Sequence, residues 1–146
     1  MQGGSAVKLT PTERQVTLKT MGERDIDAYM KPNSMWGGVH ANDELKKPDP
    51  KKIYILNLQN SDQSGSHWTL LYANSYFDSY GVVPTKAIAK FVKEYNTENY
   101  QGLSKTSCGY YCLYVADNIT AGREPYFGMK PNESQFNEDL LKKYFY

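Results

Sequence analysis

The run Gly65-Ser66-His67-Trp68-Thr69-Leu70-Leu71-Tyr72-Ala73-Asn74-Ser75-Tyr76-Phe77-Asp78-Ser79-Tyr80-Gly81 is where two strands and the turn between them become visible. Residues 67–72 and 75–80 are rich in aromatic and β-branched side chains, and the connection between them is tight, which predicts a hairpin. Asp78 follows His67 by eleven residues. Across a two-residue turn that odd spacing sets both side chains on one face of the sheet. A turn at Ala73-Asn74 pairs Thr69 with Asp78 and leaves His67 one same-face step away, about 7 Å along the strand, so that contact is feasible. A turn at Asn74-Ser75 sets Asp78 opposite Leu71 and His67 about 13 Å away, beyond hydrogen bonding. In either register, Asp78 could equally be a turn-capping carboxylate.

Upstream of the hairpin, residues 53–58 (Ile-Tyr-Ile-Leu-Asn-Leu) read as a mostly buried strand, and residues 60–66 as a polar loop. Further back, Thr10-Pro11-Thr12-Glu13 is a capping box with Pro at the first helical position, predicting a helix that ends near Gly22. A second helical piece covers 25–30. The Pro, Asn and Gly cluster of 31–38 predicts a surface loop carrying Trp36. Downstream, Pro84 opens an amphipathic helix to about Tyr95, with Ile88, Phe91, Val92 and Tyr95 at helical spacing. Residues 108–119 repeat the pattern more apolarly, as a central buried helix. From Ser134, a C-terminal helix carries Phe136, Leu140, Leu141 and Tyr144 as its docking stripe. No repeat or linker divides the chain, so residues 1–146 read as one domain, with 1–8 as a flexible N-terminal arm.

The two cysteines, Cys108 and Cys112, stand four apart at the start of the central helix and stack along one face. That usage suits thiol chemistry in a reducing compartment, not a structural disulfide. A catalytic cysteine needs its thiolate, which a helix N-terminus and a nearby imidazolium both favour. Cys108 is placed for both: Lys105-Thr106-Ser107 is a capping-type lead-in, and Gly109 would admit a substrate backbone. A cysteine in this position is, by itself, more often an inert buried thiol. Of the chain's two histidines, His67 sits at a strand mouth with Trp68 beside it, whereas His40 lies in a glycine-rich stretch, so His67 is the candidate base. Gln101 precedes Cys108 by seven residues. Its amide could donate to an oxyanion beside the Cys108 backbone N–H, or simply be solvated.

With 17 basic and 16 acidic residues the net charge is +1, which gives no electrostatic footprint for tight DNA binding or for an anionic membrane. No run reaches the roughly 18 apolar residues of a membrane span, and no secretory signal opens the chain, so the expectation is an intracellular, monomeric protein. A zinc site from Cys108, Cys112, His67 and His40 lacks the usual knuckle spacing, so no metal is predicted.

Taken together, Gly65-Ser66-His67-Trp68, Tyr76-Phe77-Asp78-Ser79-Tyr80-Gly81, Gln101-Gly102 and Ser107-Cys108-Gly109-Tyr110-Tyr111-Cys112 resemble the adenain-like cysteine proteases of DNA viruses and virus-like transposons. The ubiquitin-like-protein (SUMO) proteases of the same clan share the order His, Asp, Gln, Cys. Trp36-Gly37-Gly38-Val39 and Asn42-Asp43-Glu44-Leu45 resemble the upstream stretch of the viral and transposon branch. The likeness covers roughly residues 37–121. Two departures stand out: the His-to-Asp connection is shorter than the family's, and Asp stands where adenovirus members carry Glu.

The resemblance implies an α+β, papain-like fold of the adenain and SUMO-protease type, with a small mixed sheet packed on the nucleophile-bearing helix and flanking helices around it. It implies His67 as base, Asp78 as its orienting acid, Cys108 as nucleophile, and Gln101 with the Cys108 N–H as the oxyanion hole. Trp68, Gly109 and Trp36 are the substrate-groove candidates. The implied activity is that of an endopeptidase acting on capsid and core precursor proteins at glycine-rich sites during virion maturation, in the host cell or the virion. An activating peptide would be a family-like partner. The rival readings are a hydrolase of ubiquitin or SUMO conjugates and an inactive capsid-binding module.

Overall fold

Backbone pairing begins where the sequence is most apolar. In a computed structural model describing residues 6–58, 67–102 and 106–146, Ile53–Asn57 forms a strand, β2. It runs antiparallel to β3, Trp68–Tyr72, with Ile55 opposite Leu70. The Leu58 N–H donates to the His67 carbonyl at 2.9 Å, which carries the pairing one step past β3 and anchors the backbone of His67. β3 turns directly into β4, Ser75–Phe77, with Tyr72 opposite Ser75 and Leu70 opposite Phe77. Ala73 and Asn74 both have positive φ, 50° and 68°, the signature of a type I′ turn matched to strand twist. Of the two possible registers, this is the one that brings Asp78 level with Thr69.

Among the described residues the sheet has five strands, in the order β1-β2-β3-β4-β5. Its outer members, β1 (Trp36–Ala41) and β5 (Glu94–Tyr95), pair in parallel with β2 and β4. The stretch expected to be a loop around Trp36 is therefore an edge strand. Its glycines explain how: a Cβ on Gly37 would come within 2.7 Å of the Tyr54 ring, and Gly38, at φ 107°, carries the register shift of a bulge. The chain is thus α+β with a mixed sheet, as expected.

Among the described residues, five helices accompany the sheet. The first two are α1, Pro11–Arg14, and α2, Glu23–Met30. The capping box of α1 is present, with Glu13 N–H bonded to Thr10 Oγ1 at 3.1 Å and Thr10 N–H to Glu13 Oε1 at 2.9 Å. The helix nonetheless stops at Arg14 instead of running to Gly22. Residues 16–22 are spent on tertiary bonds: Thr106 Oγ1 donates to the Leu18 carbonyl and Trp68 Nε1 to the Met21 carbonyl, both at 2.9 Å. The helix predicted over 84–95 is likewise cut to α3, Lys86–Ala89. Here the hairpin turn captures the chain, with the Asn74 carbonyl accepting Lys93 N–H at 2.8 Å and Asn74 Nδ2 donating to the Phe91 carbonyl at 3.0 Å. Residues 94 and 95 then become β5, and Tyr95 is exposed.

The central helix is α4, Cys108–Thr120. It packs on one face of the sheet, burying Leu113, Val115 and Ala116 against Ile53, Ile55, Leu70 and Phe77. A smaller cluster of Leu45, Leu56, Leu71, Tyr76 and Ile88 covers the other face. The closing helix is α5, Ser134–Phe145. Its buried residues are Asn137, Glu138 and Leu141, whereas the predicted stripe leaves Tyr144 exposed. Asn137 Nδ2 donates to the Tyr100 and Lys130 carbonyls and Glu138 Oε2 accepts the Ser107 and Tyr111 hydroxyls, so these polar residues share the buried face with Leu141. Among the described residues no helix is long and apolar enough to cross a membrane. The predicted loop over 60–66 and the first five residues of the arm lie outside the described residues.

Candidate active site

Cys108 is the first residue of α4, buried at the N-terminal end of a 13-residue helix. Unsatisfied N–H groups and the positive end of the helix dipole lie there, the setting that favours negative charge on a nearby atom. Ser107 occupies the N-cap position but does not cap the helix. Its hydroxyl donates to Glu138 Oε2 at 2.7 Å, an acceptor shared with the Tyr111 hydroxyl, also at 2.7 Å. α5 thus holds the turn that leads into Cys108.

His67 meets Asp78 at the strand mouth, with Nε2 to Oδ1 at 2.9 Å. Both residues are buried, Asp78 completely. The same Oδ1 accepts the Tyr80 N–H at 2.8 Å. Asn96 brackets the Asp78 backbone, accepting its N–H on Oδ1 at 3.0 Å and donating from Nδ2 to its carbonyl at 2.7 Å. That side chain continues the β4 ladder past Phe77 and sets where Asp78 stands. The Tyr80 ring stacks on the imidazole with centroids 4.5 Å apart and planes 16° from parallel.

Burial works against a charged imidazole, yet its hydrogen bond to Asp78 and the interaction with Cys108 together outweigh it and lift the pKa of His67 to about 9. The ring is therefore an imidazolium at neutral pH, with Asp78 on Nε2. Nδ1 is buried and makes no hydrogen bond of ordinary geometry, which leaves it as the nitrogen to serve the sulfur. The Tyr80 hydroxyl feels the same cluster: burial raises its pKa first, and Cys108, Asp78 and Glu138 add to that. Cys112, one turn along α4, is a completely buried free thiol whose pKa burial pushes far up, which suits core packing.

Gln101 is completely buried, not solvated. Its Oε1 accepts the Ser79 hydroxyl at 2.6 Å, and its N–H donates to the Ser79 carbonyl at 3.0 Å. Asp78 and Ser79, adjacent in sequence, thus hold His67 and Gln101 respectively.

The groove candidates fare differently. Trp68 is only 3 % exposed, and its indole N–H is spent on Met21, so it stiffens the wall from within and offers no ring to a ligand. Gly109 does not leave an open approach either. A Cβ there would lie 2.9 Å from Met21 Sδ, so the glycine makes room for the segment over 16–22. Trp36 sits on β1 with its indole N–H bonded to Asp27 Oδ1 at 2.9 Å. His40 lies on β1 beside Tyr54, apart from the cluster.

Sequence reasoning missed Asn96, Glu138 and Met21. Asn96 fell just past the end of a predicted helix, Glu138 lay on the C-terminal helix outside its predicted apolar stripe, and Met21 fell within a predicted helix, so none carried a local signal. Among the described residues no three His, Cys, Asp or Glu side chains converge to hold a metal ion. No protein-family model matches the chain, and no curated protein matches it.

Proposed function

We propose that this protein is a cysteine endopeptidase in which Cys108 is the nucleophile, His67 the base and acid, Asp78 the group that orients the imidazole, and Gln101 an oxyanion donor. The observation that carries the reading is the buried 2.9 Å His67–Asp78 bond in a cluster whose third member is a cysteine at a helix N-terminus. A thiolate beside an imidazolium is the resting pair of cysteine catalysis. The sulfur attacks the scissile carbonyl carbon, and the oxygen takes the negative charge against the Cys108 N–H and the Gln101 amide. His67 passes its proton to the leaving amine as the carbon–nitrogen bond breaks. Water, giving its proton to the neutral His67, then cleaves the thioester, releasing the acid and restoring the thiolate–imidazolium pair.

The resemblance to adenain-like proteases directs the search for substrates to capsid and core precursors with glycine-rich sites. At pH 7, iodoacetamide should label Cys108 stoichiometrically, and His67→Ala should slow that labelling by at least about tenfold, since the imidazolium supports the reactive anion. A panel of glycine-rich peptides and ubiquitin or SUMO fusions should then be cleaved by the unchanged chain and not by Cys108→Ala. Cleavage confined to the fusions would move the assignment to modifier processing. Slow labelling that is indifferent to His67→Ala, with no cleavage, would refute the catalytic reading and leave a binding module.

A further inference from the structure

We infer that Ser79 is a positioning residue for the oxyanion hole, fixing which way the Gln101 amide faces; the inference rests on the peptidase reading above. Ser79 and Gln101 are both completely buried, so their mutual bond is shielded from exchange with water. Three bonds join Ser79 to this stretch. Its hydroxyl donates to Gln101 Oε1 at 2.6 Å, and its carbonyl accepts the N–H groups of Tyr100 at 2.8 Å and Gln101 at 3.0 Å. From the other side, the Tyr100 carbonyl accepts the Tyr111 hydroxyl at 3.2 Å and Asn137 Nδ2 at 2.9 Å, which ties the same stretch to α4 and α5.

A primary amide carries its acceptor and its donors on opposite sides of one carbon, and in the absence of a partner the two orientations are nearly equivalent. A hydroxyl on Oε1 makes them unequal: the carbonyl side is held at Ser79 and the NH₂ is turned the other way. Only the NH₂ can stabilise an oxyanion; a flipped amide would set a carbonyl oxygen against the developing charge. Ser79 acts before the substrate arrives, so its effect falls on kcat through the transition state and leaves ground-state binding largely unchanged. The Asp78-Ser79 pair thereby sets two catalytic groups from one point of the chain, His67 through a carboxylate and Gln101 through a hydroxyl.

The test is a double-mutant cycle on the full chain, with hydrolysis of a p-nitrophenyl ester of N-acylglycine and alkylation of Cys108 by iodoacetamide measured in parallel. Alkylation builds no oxyanion and reports only the sulfur and its imidazole. Gln101→Ala should lower kcat by about a hundredfold or more. Ser79→Ala should lower it by about tenfold with KM little changed, the scale of one buried hydrogen bond. In the Gln101→Ala background, Ser79→Ala should add nothing, because there is no amide left to orient. Ser79→Thr, which keeps the hydroxyl, should restore most of kcat, and alkylation should be unchanged throughout. If Ser79→Ala fails to fold, Ser79→Cys, a similar shape with a much weaker donor, takes its place in the cycle.

A loss that multiplies independently of Gln101→Ala, or an equal loss in alkylation, would overturn the role of Ser79 while leaving the peptidase reading intact. An unchanged chain that alkylates rapidly yet turns over neither ester nor peptide would overturn the peptidase reading, and the role of Ser79 with it.

Discussion

Replacing Asp78 by Asn tests the electrostatic core of the site with little change of shape. Asn keeps an oxygen for the Tyr80 N–H and leaves the Asn96 bracket on the backbone untouched, but it removes the charge facing His67 Nε2. In the folded protein the imidazole has a pKa of about 9 against an ordinary 6.5. Because the folded value is the higher one, the protonated ring stabilises the fold fully below pH 6.5, and that contribution is lost as pH rises through about 9. At 1.36 kcal/mol per tenfold change, its ceiling is about 3 kcal/mol. Without the carboxylate, burial is the leading influence on the ring and only Cys108 remains to raise it, so the pKa should fall to 6.5 or below. The chain has two histidines, so each imidazole Cε1–H can be followed by NMR from pH 5 to 10, with His40→Gln assigning the other. Urea melts over the same range should show the unchanged protein losing up to about 3 kcal/mol between pH 6.5 and 9, and Asp78→Asn losing little. A His67 that titrates near 6.5 with Asp78 present, or a midpoint that Asp78→Asn leaves in place, would refute the reasoning.

Two further expectations concern the backbone that carries the site. Ala73 occupies the left-handed region at φ 50°, where Asn is better tolerated. Ala73→Asn should therefore stabilise the protein by about 0.5–1 kcal/mol, a rise of a few degrees in Tm by calorimetry. Gly81, just past the Asp78 turn, has φ 77°, and a Cβ there would lie 2.5 Å from the Thr97 carbonyl oxygen. Gly81→Ala should lose at least about 2 kcal/mol in urea melts and slow Cys108 alkylation as the His67–Asp78 contact shifts.

Legibility in the sequence followed the range of the forces involved. The hairpin could be read because strand alternation, turn chemistry and the parity of the His67-to-Asp78 spacing are local, though two registers remained open until the positive φ of Ala73 and Asn74 closed the choice. The helix bearing Cys108 could be read from its apolar run. Helix ends could not be read where distant donors claim the chain, as Thr106 and Trp68 do with the carbonyls of Leu18 and Met21, and as Asn74 does with residues 91–94. Trp36 was misplaced because Gly37 and Gly38 looked like loop residues, when Gly37 lets an edge strand cross the Tyr54 ring and Gly38 takes the positive φ beside it. His67, Asp78, Cys108 and Gln101 were legible as types at a spacing. Asn96 and Glu138, which hold that spacing rigid, have meaning only once the chain is folded.

The two-residue turn at Ala73 and Asn74 also sets a lower bound on architecture. Each ladder pair from Tyr72–Ser75 down to Leu70–Phe77 is counted from that turn, so residues inserted between Ala73 and Asn74 lengthen a loop at the far end and leave Asp78 beside Thr69, one same-face step from the imidazole it bonds. A deletion has no such freedom: one residue fewer and every partner below the turn slips by a place. Chain length at this corner is thus a one-sided constraint on the His67–Asp78 contact, open to growth and closed to shortening.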